Sequence, residues 1–368
     1  MKAVRPTILD VAERAGVSAG TVSNVLNGSA RVSGRRRQRV LDAIEELSYT
    51  RNPLAQGLRQ RRTPVVGVCV PHTSVAYFSK LVDAFEEVAS SRGFEIMQIV
   101  SHDNPRIEQK RVTSLLNYRV GGIILVPTAR SDKTLDAIAR SGTPLVVVDR
   151  PVAQGRFDQV TFNNRDAMRQ AARNLIALGH RRIMFVVRRR ALATTRQRVA
   201  ALRATVRAAA NNVVTTILEC DSYDPAAITI RLAEALRGRD TPTAIIVSNS
   251  MFAACIFRAF ESLGVRCPDD VSLLAFDQPE WADLVTPKLS VVRQPTIEIA
   301  RKAWEFLIRR MADETAPVQT AELQADLVLS ASVAPAHTQI SGTRSTVTPV
   351  AALKRTAFTV RARSGDPE

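Results

Sequence analysis

The chain has 368 residues, of which 45% are hydrophobic and 23% charged, a composition typical of globular proteins with room for two or three domains. No run of about 18 apolar residues occurs, so no membrane-spanning helix is expected. The first residues contain no apolar signal-peptide core, and the four cysteines form no C-x-x-C pair. We therefore expect a cytoplasmic protein without a disulfide framework or a structural zinc site.

The net charge is +16, from 51 Lys and Arg against 35 Asp and Glu. The excess is densest at the front of the chain, where 12 basic residues face 5 acidic ones up to Arg62. A balance of this kind favours a polyanionic partner such as nucleic acid. An arginine-rich genomic bias is the alternative for the excess in the rest of the chain.

Residues 1–50 are predicted to form a small all-α head. Thr7 is expected to cap a first helix that Gly16 ends, Ser18 to cap a second helix, and Ser33 to cap a third. Two short helices joined by a tight turn containing Gly form a helix-turn-helix. The residues predicted to point inward are Val11, Ala12, Ala15, Val22, Val25, Leu26, Val40, Leu41, Ile44 and Leu47.

Residues 64–334 are predicted to form an α/β core of two lobes with parallel sheets. Apolar runs typical of buried parallel strands occur at Val65–Val70, Glu95–Val100, Gly122–Val126, Leu145–Val148, Ile183–Val187, Ala244–Val247 and Val271–Phe276. Helical patterns separate them near 79–92, 105–118, 131–141, 165–178, 196–210, 225–237, 251–263 and 296–312. The cleft between two such lobes is the default ligand site. Residues 335–368 have no periodicity and are predicted to be a disordered basic tail.

The front of the chain contains a distinctive set of motifs: TILDVAERAGVS (7–18), TVS (21–23), VLN (25–27), RVS (31–33) and NPLAQGLR (52–59). Together they strongly resemble the head and hinge of the lactose/galactose-repressor (LacI/GalR) family of transcription factors. The core resembles the family more loosely, through DRP (149–151), LGHRRI (178–183) and VRQP (292–295). The resemblance implies a sequence-specific DNA-binding regulator, expected to be a repressor, with a periplasmic-binding-protein-like core and no cofactor or metal.

The resemblance also implies that the second helix enters the major groove of double-stranded DNA. By position, the base-reading residues are Ala19, Gly20 and Asn24. Asn24 could pair with adenine and Ala19 could touch a thymine methyl group. The residues suited to phosphate contact are Ser18, Thr21, Ser23, Asn27, Arg31 and Ser33, with helix capping or plain solvation as the alternatives.

Residues 51–63 look like the family's hinge, a short helix that orders on DNA. Leu58, with Ala55 beside it, occupies the position that wedges into the minor groove at the centre of the operator. Gly57 would weaken such a helix by about 1 kcal/mol relative to Ala. The alternative is an ordinary flexible linker.

The resemblance assigns the effector to the cleft between the lobes. The residues carried over are Tyr77, Phe78, Asp149, Arg196 or Arg198, Asn249 and Asp277. A carboxylate, an amide and an aromatic ring suit a sugar or a nucleobase. The alternatives are structural: Asp277 could cap a helix, Asp149 could pair with its neighbour Arg150, and the aromatic residues could be plain core.

The run Arg188–Arg190 departs from the glycine-rich stretch of the family and could select a phosphorylated or acidic ligand, or simply be solvated. Control by a partner protein also remains open. A solute-binding protein without a DNA role is disfavoured by the basic head, and an enzyme by the lack of a catalytic constellation. His180, in a helix-end phrase, is interpreted as a cation that suits the helix dipole.

The expected mechanism is that of a homodimer reading two half-sites of a near-palindromic operator. A small-molecule effector would shift the two lobes and so change how the hinges converge on DNA. Whether that effector induces or corepresses stays open.

Overall fold

The computed structural model describes residues 6–26, 32–49, 63–153, 155–188, 190–209, 212–237 and 240–336. The chain divides into two compact units, residues 1–63 and residues 64–368. Several predicted features lie outside the described residues: hinge residues 51–62 with Ala55 and Leu58, the phosphate candidates Asn27 and Arg31, and all but two residues of the tail.

In the described residues of the head there are three helices, Ile8–Ala15 (α1), Ala19–Leu26 (α2) and Gly34–Glu46 (α3). Thr7 and Asp10 form a capping box at the start of α1, and Gly16 ends the helix in a left-handed conformation with φ 61°. The predicted inward side chains Val11, Val22 and Val40 are fully buried together. The helix-turn-helix is thus stabilised by a small apolar core, and the capping box and Gly16 define the start and the end of α1.

Two predictions in the head are wrong. Leu41 is 46% exposed, because it lies one residue past Val40 and α3 turns it about 100° away from the core; Ala43 is buried instead. Ser33 occupies the N-cap position of α3, but its side chain makes no capping hydrogen bond. Ser18, in contrast, does cap α2, since its Oγ accepts a hydrogen bond from Thr21 N at 3.2 Å.

The first lobe of the core is a six-stranded sheet in the order β11-β5-β4-β3-β1-β2. Its strands are Val65–Val70 (β1), Glu95–Val100 (β2), Gly122–Leu125 (β3), Leu145–Val148 (β4), Asp158–Phe162 (β5) and Thr320–Leu323 (β11). Its helices are Ala76–Ser91 (α4), Pro105–Asn117 (α5), Asp132–Ser141 (α6) and Thr296–Ala312 (α11). Every strand pair in this sheet is parallel.

The second lobe repeats this design with the strand order β12-β10-β9-β8-β6-β7. Its strands are Arg182–Val187 (β6), Val214–Glu219 (β7), Ala244–Val247 (β8), Ser272–Phe276 (β9), Ser290–Arg293 (β10) and Asp326–Val328 (β12). Its helices are Asn164–Ala177 (α7), Ala193–Ala208 (α8), Pro225–Arg237 (α9) and Ser250–Leu263 (α10), with a 3₁₀ turn at Glu280–Asp283. Only the β10–β12 pair is antiparallel among the described strands.

The chain passes between the lobes three times, after β5, after β10 and between β11 and β12. These crossings leave the carboxyl ends of both parallel sheets facing one cleft. Loops at the carboxyl ends of parallel strands are the usual place for a ligand. The predicted two-lobed α/β fold is confirmed, and the cleft is where the candidate side chains meet.

His180 is not the cation that the sequence predicts. The ring is buried, with Nδ1 3.0 Å from Thr243 Oγ1 and Nε2 3.0 Å from the carbonyl oxygen of Ala334. Burial lowers the pKa of His180 below its ordinary value. The residue ties the end of the described chain to the second lobe and has no role in the cleft.

Candidate functional site

Two buried aspartates face the cleft from opposite lobes. Asp149 follows β4 and Asp277 follows β9, and each is 5% exposed. Both have left-handed backbones, with φ 66° and 74°, a conformation that a non-glycine residue rarely adopts. Such strain concentrates where a side chain must be held at one place. The fold thus places one carboxyl group of each lobe at the same cleft.

Arg198, on α8, is the buried cation of the same cleft. Its Nε donates to Asn164 Oδ1 at 2.7 Å, and Nη1 donates to the carbonyl oxygen of Ser248 at 3.0 Å. The guanidinium also lies 3.8 Å from the centre of the Phe276 ring. These contacts fix the plane of Arg198 while its charge acts on the two aspartates.

Burial shifts the pKa of all three groups. Desolvation raises the pKa of Asp277 to about 7, although Arg198 acts in the opposite direction. Desolvation also raises the pKa of Asp149 and lowers that of Arg198 to about 10. The cleft therefore holds a carboxyl group that gains or loses a proton near neutral pH, and so can act as hydrogen-bond donor or acceptor.

Some polar atoms of the cleft have no hydrogen-bond partner in the described part of the chain. They include Gln294 Oε1 and Tyr77 Oη, although the Tyr77 hydroxyl does interact electrostatically with Asp149. Buried polar atoms are nearly always paired in native proteins, by protein, water or ligand. These atoms mark a place where a polar ligand would complete the hydrogen bonding.

The predicted effector residues Tyr77, Phe78, Asp149, Arg198, Asn249 and Asp277 line one cavity. Asn249 caps α10 through Oδ1 and donates from Nδ2 to Tyr223 Oη at 2.7 Å. The structure separates the two arginines that the sequence left as alternatives. Arg196 lies two residues before Arg198, about 200° around the helix, and is exposed on the other side of α8.

The cleft contains a second charged cluster, which has no counterpart among the residues predicted from the sequence. Asp103, 5% exposed after β2, accepts a hydrogen bond from Arg150 Nη1 at 2.5 Å. Arg188 reaches across from the second lobe, with Nη1 3.4 Å from Asp103 Oδ2 and 3.0 Å from His72 Nε2. Burial alone would raise the pKa of Asp103, but His72 and Arg150 outweigh it and lower the pKa.

The contacts of this cluster distinguish between the alternatives given above for Arg188–Arg190 and for the Asp149–Arg150 pair. Arg188 is largely buried and bridges the lobes, whereas Arg190 pairs with Glu219 at 2.9 Å near the surface. Arg150 does lie 3.6 Å from its neighbour Asp149, but its shortest contact is with Asp103. A signal for Asp103 was present, because it closely follows a predicted strand and so lies at the ligand-binding edge of the sheet.

The cleft is small as the lobes stand here. Its cavity has a volume of about 70 Å³, whereas pockets for small ligands usually measure about 300–1,000 Å³. A sugar-sized ligand therefore needs the lobes to separate or the side chains to rearrange.

The helix-turn-helix presents a polar and uncharged surface along α2. Ser18, Gly20 and Asn24 are exposed, while Ala19, Thr21 and Ser23 are half-buried. Ala19 packs part of its methyl group against the head core. Positive charge comes from the next helix, where Arg35 and Arg36 are exposed in the first turn of α3. This surface has the donors and acceptors for DNA but few large side chains.

Among the described residues, no helix is both long and apolar enough to cross a membrane. The same residues include no cluster of three or more His, Cys, Asp or Glu that could hold a metal ion.

Comparison with known proteins gives two family matches. Residues 7–52 match the model for bacterial regulatory proteins of the lacI family, and residues 172–333 match a periplasmic-binding-protein-like domain. The chain is 30% identical to the HTH-type transcriptional regulator PtxS of Pseudomonas aeruginosa over 335 residues, which are 90% of this chain and 96% of that protein. It is 28% identical to the HTH-type transcriptional repressor PurR of Photobacterium profundum, over 89% of this chain and 98% of that one.

Solved structures give the same result for the fold. The lac repressor dimer bound to operator and the anti-inducer ONPF is 23% identical, with a TM-score of 0.79 over 90% of this chain and all of that one. The complex of the transcriptional regulator CelR with cellobiose is 25% identical, with a TM-score of 0.66 over 89% of this chain and all of that one. These relatives are regulators rather than enzymes.

Proposed function

The chain belongs to the lacI family of bacterial regulatory proteins and is a DNA-binding transcriptional regulator; on that premise, we propose that it is a repressor controlled by a sugar or related metabolite in the cleft. We further propose that it acts in the cytoplasm as a homodimer on a near-palindromic operator. Two symmetry-related heads read two half-sites, so the symmetry of the protein sets that of the operator.

The observation that carries the proposal is the pair of buried aspartates that face one cleft from opposite lobes. Asp149 and Asp277, together with Arg198, which interacts electrostatically with both, offer acceptors and donors that suit sugar hydroxyl groups. A ligand held by both lobes fixes their separation, and so shifts the equilibrium between lobe arrangements. The cellobiose bound to the relative CelR supports a sugar as the class of effector.

In the head, we propose that Asn24 reads a base and that Ala19 and Gly20 allow α2 to approach the groove closely. We propose that exposed Ser18, which precedes α2, and the half-buried Thr21 and Ser23 on that helix contact phosphates. Ser33, which makes no capping bond, keeps its hydroxyl for a phosphate.

The first test is an in vitro selection of the full chain on random duplex DNA at fixed, near-physiological salt. The proposal expects enrichment of a near-palindrome with a flexible pyrimidine–purine step at its centre. If no motif is enriched, the selection is repeated with pooled sugars, sugar phosphates and nucleobases as corepressors. Failure in both formats would overturn the proposal of sequence-specific binding.

The enriched DNA then serves as the probe for the effector. Asp277→Ala removes the cleft carboxyl group and is expected to abolish the change in DNA affinity that an active sugar produces in the wild type. Asp283→Ala, at an exposed site on the same lobe, is the matched control and should respond normally. An unchanged midpoint of the response in the Asp277 variant would contradict the assignment of the cleft.

A second variant tests the proposed hinge. Leu58→Ala removes the side chain that would wedge into the central step, so operator affinity should fall several-fold or more. Sugar binding to the core should stay the same. Unaltered operator affinity in gel-shift titrations would remove the wedge from the mechanism.

A further inference from the structure

A second and larger cavity opens beside the cleft. Its volume is about 600 Å³, within the range of about 300–1,000 Å³ that is usual for ligand pockets. It lies between the loops that follow β3 and β4 in the first lobe and the start of α8 in the second. Among the described residues, only Arg150 and Leu192 line both this cavity, which we call the outer cavity, and the cleft.

The lining of the outer cavity is strongly cationic. Four arginines contribute to it, against Asp132 as its one acidic lining residue in the described part of the chain. Two of the four are neutralised: Arg150 pairs with Asp103 and Arg156 with Asp136. Arg165 and Arg196 have no acidic partner among the described residues.

The two unneutralised arginines differ in how they are held. Arg196 donates one hydrogen bond to the backbone oxygen of Ala191, which leaves its charge uncompensated. Arg165, in the first turn of α7, makes no hydrogen bond or ion pair within the described residues and is exposed. Both guanidinium groups are therefore available to a ligand, and guanidinium is the group best suited to phosphate and carboxylate oxygens.

The fold adds a fixed positive potential at the same place. Helix α8 has no acidic residue in its first turn, and its N-cap, Leu192, provides no side-chain hydrogen bond. An N-terminus of this kind attracts negative charge. Helical periodicity divides α8 between two sites, with Ala193, Arg196 and Gln197 on the outer cavity and Thr194, Thr195 and Arg198 on the cleft.

From the cavity, its two unneutralised arginines and the open start of α8, we propose that the outer cavity binds the phosphate or carboxylate group of a small acidic metabolite. A sugar phosphate or a sugar acid fits, because its neutral part can extend toward the adjoining polar cleft. The cavity is lined by both lobes, so an anion in it would also bias their separation. The regulatory effect rests on the proposed function, but anion binding itself does not.

The test is isothermal titration calorimetry of the full chain without DNA. The titrants are inorganic phosphate, glucose 6-phosphate and gluconate, with glucose as the neutral comparison. The variant Arg165→Gln/Arg196→Gln removes the two free charges, and we expect its Kd for the tightest anion to rise at least tenfold. Preference for glucose 6-phosphate or for gluconate decides between the phosphate and the carboxylate as the natural group.

The control is Arg173→Gln/Arg203→Gln, which removes one exposed arginine from each of the same two helices outside the cavity. Its Kd should stay within twofold of the wild type. The inference is overturned if none of the three anions binds, if the cavity variant binds as the wild type does, or if the control loses affinity equally.

The same probes separate this inference from the proposed function. Regulation of DNA binding by glucose or another neutral sugar, with no anion binding, would overturn the anion site and leave the proposed function standing. Anion binding that never alters DNA affinity would establish the site and contradict its regulatory part.

Discussion

The head and the cleft arrange their polar side chains in opposite ways. On α2, Ser18 and Asn24 lie at the surface, where water satisfies them. In the cleft, Asp103 and Asp277 are each 5% exposed and depend on protein partners for their charges. An exposed polar side chain contributes little to the free energy of unfolding, and its hydrogen bonds to a partner form only on binding. A buried charged side chain, in contrast, affects the free energy of unfolding directly. Substitutions in the two regions should therefore be read by different measurements.

The largest effect is expected at Asp103, because its removal leaves two arginines without their buried counter-charge. For Asp103→Ala we expect the free energy of unfolding of the core to fall by roughly 3–5 kcal/mol. Urea titration followed by tryptophan fluorescence reports on the core alone, since the two tryptophans of the chain, Trp281 and Trp304, both lie there.

The matched control is Asp326→Ala, which breaks an exposed pair with Arg293 at 3.0 Å. A surface pair of this kind is worth at most about 1 kcal/mol, and often nothing measurable. Similar losses at Asp103 and Asp326 would mean that the buried cluster carries no special weight.

The next effect is a pH dependence set by Asp277. Its pKa is raised to about 7 in the folded protein, against an ordinary value of 3.8, so the folded state holds a proton that the unfolded state has lost between those pH values. Stability should therefore decrease as pH rises through this window, by at most about 1.4 kcal/mol per pH unit for this group. Asp149, whose pKa is also raised by burial, acts in the same direction.

Asp277→Asn imitates the protonated carboxyl group and should flatten this slope. Urea unfolding at pH 4.5 and 7.5 is the measurement, with the advantage of the variant over the wild type growing toward pH 7.5. Asp103 does not contribute to this slope. Because its pKa is lowered in the folded protein, the stability that it provides is lost only as the pH falls below about 4. A slope identical to that of the wild type would place the titrating group elsewhere.

A buried strand can be predicted from the sequence where its residues form a continuous apolar run. Five of the described strands have no counterpart among the predicted apolar runs: β5, β7, β10, β11 and β12. At β5 the reason is that Asp158, Gln159 and Thr161 are polar and yet buried. Arg309 and Arg310 satisfy Asp158 at 3.0 and 2.9 Å from about 150 residues away along the chain. No local pattern carries that information, because the partner comes from a different crossing of the chain.

In the cleft, too, some residues could be predicted from the sequence and others could not. Asp149, Asp277 and Asn249 follow strands and were predicted through the family resemblance, and the structure brings them to one cavity. The Arg188–Asp103 contact was not predicted, since it joins two lobes whose closure only the folded chain defines. A motif can indicate which residues face a cleft, but not which of them bridge it.

Because the polar side chains of α2 are exposed, we expect substitutions there to change DNA affinity without changing the stability of the head. Asn24→Ala should lower affinity for the selected operator by about 1–3 kcal/mol, the value of a bidentate amide–adenine pair. Binding to unrelated duplex DNA should hardly change, because phosphate contacts carry that part. Fluorescence anisotropy on both duplexes is the measurement, and Gln38→Ala, an exposed amide on α3, is the control.

The smallest effect is expected at Gly20, where folding and binding should move in opposite directions. A Cβ there would meet Ser18 Oγ at 3.7 Å, an ordinary contact, and replacing a helical glycine by alanine gains roughly 0.5–1 kcal/mol. Hydrogen exchange of the α2 amides in the full chain should therefore slow. If Gly20 is there to let the helix approach DNA, the same variant should bind the operator more weakly.

Gly16→Ala in the same head is the control, since φ 61° makes alanine costly there and exchange should become faster. Faster exchange at both positions would mean that α2 tolerates no added side chain. Slower exchange with full operator affinity at Gly20 would mean that this position is free of DNA contact. Base recognition would then depend on Asn24 and Ala19. The head would still differ from the cleft, since its function would depend on exposed side chains and that of the cleft on buried charges.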